Sequence, residues 1–298
     1  MNGSDQIIRM ATFNWLNEQI SIHGDVLPRK LLENGFEFKN HHIHLVSLQG
    51  IFTPKLLDLP LSITTAPKGP YEDSFNSEGF LLYKYRGTDQ QQGDNVRLRK
   101  AMEKAVPLVY FHGILPGKYL AVYPVYIIGD DPVNLTFKVA VDELTSVEKH
   151  FAGVKEEDSS RRAYITATIC TRLHQRSFRE RVLAAYRSQC ALCRLRHIEL
   201  LDAAHIIPDT EPEGKPTVDN GLSLCKLHHA AFDRFIIGVT PDYIIEIRQD
   251  VLDEDDGPML THGLKELHKT RMILPRQNNL KPNREYLDWR YERFKKAL

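Results

Sequence analysis

The sequence has no apolar run of the roughly eighteen residues needed to span a bilayer, and its opening MNGSDQIIRM lacks the hydrophobic core of a secretory signal. Both absences point to a soluble, intracellular protein, with the cytoplasm as the expected compartment. Cysteine is scarce as well. Four cysteines in 298 residues are too few for a disulfide scaffold, and since three of them lie between positions 190 and 225, Cys170 is left as an expected free core thiol. There is no internal repeat or low-complexity tract, which leaves ordinary globular domains. An excess of one charge is missing too. With 39 basic and 39 acidic residues the total does not mark a nucleic-acid binder, so any such signal must lie in the local distribution.

What is present is 42% hydrophobic and 26% charged residues, at a length that suits about two domains. The stretch that organises the chain is Cys190 to Asp233. Cys190 and Cys193 make a C-x-x-C knuckle and Cys225 and His228 a C-x-x-H knuckle about thirty residues on, the spacing at which four ligands close a tetrahedron around zinc. A lone C-x-x-C reads equally well as a redox pair, but a redox pair does not predict a second knuckle. Between and beside the knuckles stand His205 in AAHIIP, Asn220 in VDNGL and His229 in HHAAFD.

AAHIIP, DNGLSLC and HHAAFD together resemble the HNH (ββα-metal) endonucleases, in the branch of McrA-like and other restriction enzymes, over roughly residues 175–298. The resemblance implies a β-hairpin holding His205 and Asn220, then a helix starting near Cys225 that presents His229. Zinc would staple a unit too small to hold itself together by apolar burial. Phosphodiester hydrolysis needs a water deprotonated in line with the leaving oxygen, and a cation where negative charge accumulates. A histidine ionising near neutrality suits the first task, so His205 is the expected general base. The resemblance implies that Asn220 orients it or braces the loop, and that His229 ligates Mg²⁺ or Mn²⁺ while His228 faces the zinc. Adjacent helical residues point about 100° apart, so two neighbouring histidines can serve two metals. The sequence departs from the family pattern at Ala204, where many members carry an acid or a histidine. Asp202, two residues back on the strand, is the candidate replacement ligand, with Asp219 and Asp233 behind it.

From Arg172 to Arg196 seven arginines face one acid, Glu180, directly before the motif. Such a run reads as a solvated helix face or as phosphate contact, with Arg176 and Arg179 the leading contacts. The tail from Gly263 carries ten basic and four acidic residues and could either pack on the nuclease or touch DNA.

The N-terminal half begins with a helical pattern over residues 5–20. A second short helix and the strand-like FEFKNHHIHLVS follow, together readable as a small winged-helix-like unit. From Gln49 to about Glu148, FLLYKYRG, VPLVYFHGI, YLAVYPVYIIG and LTFKVAVDE read as closely spaced strands of a barrel or curled sheet, with one helix at 95–105. The stretch GPYEDSFNSEGFLLYKYRGTD, followed by DNVRLRKAMEKAVPLVYFHG, is similar to SRA (YDG) domains, PUA-like barrels that flip a modified cytosine out of DNA. The family positions fall on Tyr71, Asp73, Gly79, Tyr85 and Gly87, with Ser74 where a second acid is common. By that resemblance Tyr71 and Tyr85 would stack on the flipped base and Asp73 would accept from its exocyclic amine. Arg86, like Lys84, reads as a phosphate contact or as a solvated charge. Packing of both tyrosines in the barrel wall is the competing reading.

The expected architecture is α+β, an N-terminal PUA/SRA-like curled β-barrel with flanking helices and a C-terminal zinc-stapled ββα-metal HNH domain. The expected divisions are a reader at 1–148, a linker at 149–162 and a nuclease at 163–298, the last opening with a strand at 163–170 and a helix at 175–186. The function these imply is modification-dependent (type IV-like) restriction of double-stranded DNA, with structural Zn²⁺ and catalytic Mg²⁺ or Mn²⁺. One centre cuts one strand, so a homodimer is expected for a double-strand break. Two other readings stay open: a nuclease triggered by a sequence, phosphorothioate DNA or a small ligand, and a non-catalytic zinc-dependent DNA-binding protein.

Overall fold

The computed structural model describes residues 3–67, 80–142, 159–255 and 257–297; Tyr71, Asp73, Ser74 and Gly79 of the reader motif lie outside them. The chain forms two compact units, Met1–Leu173 and His174–Leu298. The fold is mixed α and β, with a curled half-barrel sheet in the first unit and the cysteine-histidine motif in the second.

In the first unit, α1 (Gly3–His23) leads through β1 (Val26–Pro28) to α2 (Arg29–Asn34). FEFKNHHI then forms not one strand but a hairpin, β2 (Phe36–Phe38) with β3 (His41–Ile43). The reason is local: Lys39 and Asn40 both sit at positive φ, 46° and 64°, the two-residue turn geometry that asparagine tolerates. Strands β4 (Ile51–Phe52), β5 (Ser62–Thr65) and β6 (Leu81–Lys84) precede α3 (Gly93–Glu103), which the Gln92 side chain caps by accepting from the Asp94 and Asn95 amides. Strands β7 (Leu108–Leu115), β8 (Lys118–Asp131) and β9 (Thr136–Val141) complete a seven-stranded sheet, six of its strands in the order β4-β5-β7-β8-β9-β6 and the seventh, β1, paired with β8.

Strand β8 organises this sheet. It pairs with β7 along one edge and, on the other, with β1 at its start and β9 at its end, with a register shift near Gly129. Such irregularities bend a strand and curl the sheet. Because β1 joins this sheet, the N-terminal helices are not a separate winged-helix-like unit. Instead Phe13 and Leu16 of α1 and Leu32 of α2 pack with Val109 and Phe111 on one face. Leu108 and Tyr110 alternate to the other, where they meet Leu98 of α3. Burial on both faces explains why these strands read as continuous apolar runs.

The expected strand at 163–170 is absent; α4 runs unbroken from Ser159 to Ala185 and contributes its first part to the first unit and its second part to the other. The β-branched run ITAT suggested a strand. In the helix, the hydroxyls of Thr166, Thr168 and Thr171 donate to the carbonyls of Arg162, Tyr164 and Ala167, at 2.6, 2.9 and 3.1 Å, and so satisfy themselves within the helical backbone.

In the second unit β10 (Leu201–His205) and β11 (Gly221–Cys225) form an antiparallel hairpin, followed at once by α5 (Lys226–Asp233). A second hairpin pairs β12 (Ile237–Val239) with β13 (Ile245–Ile247), and α6 (Gln249–Asp253), α7 (Pro258–Gly263) and α8 (Arg284–Lys296) close the unit. Phe178 and Val182 of α4 press on the first hairpin at Gly221, where an added Cβ would stand 2.4 Å from Val182 Cγ2. Only glycine lets the helix approach the strand opposite His205 this closely.

Candidate metal centre and active site

Four ligands converge around the start of α5. Cys190 and Cys193 come from the turn after α4, Cys225 ends β11 and His228 lies in the first turn of α5, and their ligand atoms all lie within 4.8 Å of one another. The Cys190 Sγ to His228 Nδ1 distance is 3.4 Å, Cys193 Sγ to Cys225 Sγ 3.9 Å and Cys225 Sγ to His228 Nδ1 3.2 Å. Thiolates around a tetrahedral zinc stand about 3.8 Å apart, close to the Cys193–Cys225 separation, so the set fits such an ion. His228 Nε2 lies 2.7 Å from the Gly263 carbonyl. That oxygen can only accept, so Nε2 carries the ring proton and Nδ1 is free to coordinate. This is the one group of three or more such side chains able to hold a metal among the described residues.

The three motif residues lie beside it. His205 ends β10, opposite Gly221, and its ring stacks on Phe178 with centroids 4.0 Å apart. Its Nε2 atom is buried without a hydrogen-bond partner. Burial lowers the pKa of this imidazole below its ordinary value, with the His229 charge acting the same way and Asp209 and Asp233 opposing. The ring is therefore held neutral, the state a proton acceptor needs.

Asn220 is fully buried and spends its side chain on backbone: Oδ1 accepts from Ile207 N at 2.9 Å, and Nδ2 donates to the Ile207 and Lys215 carbonyls at 3.0 and 2.9 Å. Of the two roles the resemblance allowed, this geometry is that of a brace for the loop after His205.

His229 lies between two carboxylates, with Nδ1 3.6 Å from Asp202 Oδ2 and Nε2 3.3 Å from Asp233 Oδ2. Asp202 thus reaches the motif although Ala204, at the usual ligand position, points into the core. Partial burial raises the Asp202 carboxyl, but Lys226, with His229 and Arg179, outweighs it and keeps the group below the usual carboxylate range. Asp219, the other fallback acid, instead lines a polar cleft with Tyr243 and Arg284.

Arg176 is exposed, and Arg179 is half-buried and engaged within the fold. Its guanidinium donates to the Ile198 and Leu201 carbonyls at 3.0 and 2.8 Å, pairs with Glu180 and faces Asp202 at 3.6 Å, so it holds the start of β10 in place.

The reader residues are corrected in a similar way. Tyr85 is only 6% exposed; its ring stacks on Phe137 at 4.6 Å and its hydroxyl is engaged by Asp130 and Arg99. This is the barrel-wall packing, not an open face for a base. Arg86 is tied to Asp94 and, at 2.8 Å, to Gln49 Oε1. Tyr71 and Asp73 lie outside the described residues.

One residue of the site carried no mark in the sequence. Arg290, on α8, is 5% exposed and donates to the Ile206 carbonyl at 3.1 Å and the Phe232 carbonyl at 2.8 Å; its Nη2 lies 3.5 Å from Asp233 Oδ1. Its guanidinium carbon lies 4.0 Å from the Phe232 ring centroid and 5.0 Å from that of Phe235. Burial lowers its pKa to about 10, against the opposing charge of Asp233.

Residues 190–240, which contain Cys190, Cys193, Asp202, His205, Asn220, Cys225, His228, His229 and Asp233, match the HNH endonuclease family. This is an HNH endonuclease domain. The rest of the chain lies outside that match, and no curated protein matches the chain. Among solved structures, the chain is similar to a modification-dependent TagI restriction endonuclease at 14% identity, covering 79% of this chain and 81% of that one with a TM-score of 0.28. It is similar to the SRA domain of SUVH5 in complex with methylated CHH DNA at 21% identity, covering 37% and 88% with a TM-score of 0.26. It is also similar to ScoMcrA, a type IV phosphorothioation-dependent restriction endonuclease, at 15% identity, covering 68% and 53% with a TM-score of 0.27. At these scores none of the three fixes a fold or a substrate for this chain.

Proposed function

We propose that the protein is an HNH nuclease that hydrolyses phosphodiester bonds in double-stranded DNA, and that modified cytosine in the DNA licenses the cut, as in type IV-like restriction. The observation that carries the nuclease part is the convergence of a neutral, half-buried His205 with His229, Asp202 and Asp233 inside the HNH match. His205 takes the proton of the attacking water as its oxygen bonds to phosphorus and the P–O bond to the leaving sugar oxygen breaks. Asn220 holds the loop that follows His205. Cys190, Cys193, Cys225 and His228 hold Zn²⁺ as a staple, and His229 with Asp202 holds Mg²⁺ or Mn²⁺. A divalent ion there supplies positive charge against the phosphate oxygens.

The modified-cytosine part is supported by the SRA-like sequence motif from Tyr71 to Gly87 and by the curled sheet of the first unit. Tyr71 and Asp73 are the proposed pocket residues, and Tyr85 is a wall residue that cannot stack on a base. Its burial favours a second reading, in which the same nuclease answers to another feature of the DNA or to a small ligand.

The deciding experiment is cleavage of one DNA fragment prepared unmodified, with 5-methylcytosine and with 5-hydroxymethylcytosine, in Mg²⁺ or Mn²⁺, with His205→Ala as control. Cutting confined to a modified fragment and lost in the variant is the expected result. Equal cutting of all three discards the cytosine reader, and cutting that survives His205→Ala discards the assigned base.

A further inference from the structure

An arginine that is almost fully buried, and whose ion-pair partner Asp233 is half exposed, is costly to maintain. Its contacts show what the burial achieves. The Ile206 carbonyl belongs to the residue after His205, the Phe232 carbonyl closes α5, and Asp233 Oδ1 belongs to the carboxylate whose other oxygen faces His229 Nε2. One rigid guanidinium therefore spans the end of the strand that carries His205 and the end of the helix that carries His229. The two aromatic rings beside it restrict where it can move.

Asp233 also resolves an ambiguity at His229. Carboxylates stand at both ring nitrogens, and one imidazole can present only one of them to a given ion. A carboxylate bonded to one ring nitrogen fixes the tautomer and leaves the other nitrogen to ligate. Both carboxylates have cationic neighbours, Lys226 and Arg179 at Asp202 and Arg290 at Asp233; Arg290 alone of these also holds the Ile206 carbonyl next to His205, so Asp233 is the carboxylate tied to the strand end that carries the base.

We propose that Arg290 is the positioning residue of the nuclease centre, acting through Asp233 to orient His229 with Nδ1 toward Asp202, and through the Ile206 and Phe232 carbonyls to set the spacing between His205 and His229. This rests on the HNH reading above and goes beyond it, since Arg290 lies outside the matched residues on a separate helix.

The test uses the full-length, zinc-loaded protein and two readouts: direct Mn²⁺ binding by calorimetry without DNA, and kcat and KM for cutting. Arg290→Met and Asp233→Asn are compared with Leu287→Ala, a fully buried packing residue on the same helix. Both relay variants are expected to weaken Mn²⁺ binding about 10- to 100-fold, the usual loss when a ligand's orienting partner is removed. Arg290→Met should lower kcat by a similar factor while KM for DNA changes less than about threefold. Arg290→Lys, which keeps the charge but not the fork, should fall between Arg290→Met and wild type. Leu287→Ala should lower the melting temperature and leave Mn²⁺ affinity in the folded protein unchanged.

Folded Arg290→Met that binds Mn²⁺ like wild type overturns the proposal. If Arg290→Met does not fold, Asp233→Asn decides, since that carboxylate is 55% exposed and its loss spares the core; unchanged Mn²⁺ affinity there overturns the relay. Wild-type protein that binds no Mn²⁺ overturns the nuclease reading itself, a failure visible before any variant is made.

Discussion

At the scale of single residues, His205 and Asn220 sit in one hairpin yet answer to different physics. His205 is stacked on Phe178 and held neutral by burial, so its replacement removes a proton acceptor without opening the fold. His205→Ala should lower the cutting rate about 10²- to 10⁴-fold, the range general-base catalysis contributes, with DNA binding retained in a filter or mobility assay. The pH dependence follows from the sign of the shift. The pKa lies below the ordinary 6.5, so the base is already deprotonated at pH 7 and the rate falls only on acidification past that value. A pH profile of kcat/KM in saturating Mn²⁺ with its acid limb centred above 6.5 counts against His205 as the base.

Asn220→Ala strands three backbone groups in a buried loop, at about 1–3 kcal/mol for each group left unpaired. Chemical denaturation should show this variant losing stability along with cutting, where His205→Ala loses cutting alone.

At the scale of elements, the hairpin of β10 and β11 with α5 is short and is held at its open end by the cysteine-histidine cluster, since Leu201 pairs with Cys225. A structural zinc site contributes about 10–16 kcal/mol of apparent binding free energy, as much as the whole stability of a typical domain, about 5–15 kcal/mol. Removing the ion should therefore unfold the element and not merely loosen it. Chelation or Cys225→Ser is expected to abolish cutting and the cooperative melting of the 174–298 unit, with zinc restoring both after chelation. A metal-free protein that melts and cuts normally would show that the four ligands are not a staple.

At the scale of the whole molecule, the consequence is stoichiometric. One HNH centre reaches one strand at a time, so a double-strand break needs two centres or two successive events. If two copies act together, supercoiled plasmid should go directly to linear product at high protein concentration, and nicked circles should accumulate on dilution. Nicking first at every concentration, with a first-order dependence on protein, would point to a monomer acting twice. Among the described residues no helix is long and apolar enough to cross a membrane.

Cys190, Cys193, Cys225 and His228 were legible in the sequence because metal ligation restricts residue type and short knuckles set the spacing, so chemistry and local geometry agree before any packing occurs. His205, Asn220 and His229 were legible in their order for the same reason, and the apolar runs of β7 and β8 were legible as strands of a barrel or curled sheet. Packing alone decided the rest. Thr166 and Thr168 read as strand residues, but their hydroxyls bond back to the turn before, and α4 continues through them. Tyr85 stood at a reader position and turned inward onto Phe137. Arg290 was one of ten basic residues in the tail, and only the docking of α8 brings it to Asp233, 57 positions away in the chain. Ligand chemistry is encoded locally, whereas the burial of an arginine or a tyrosine depends on contacts between distant segments, which exist only once the chain has folded.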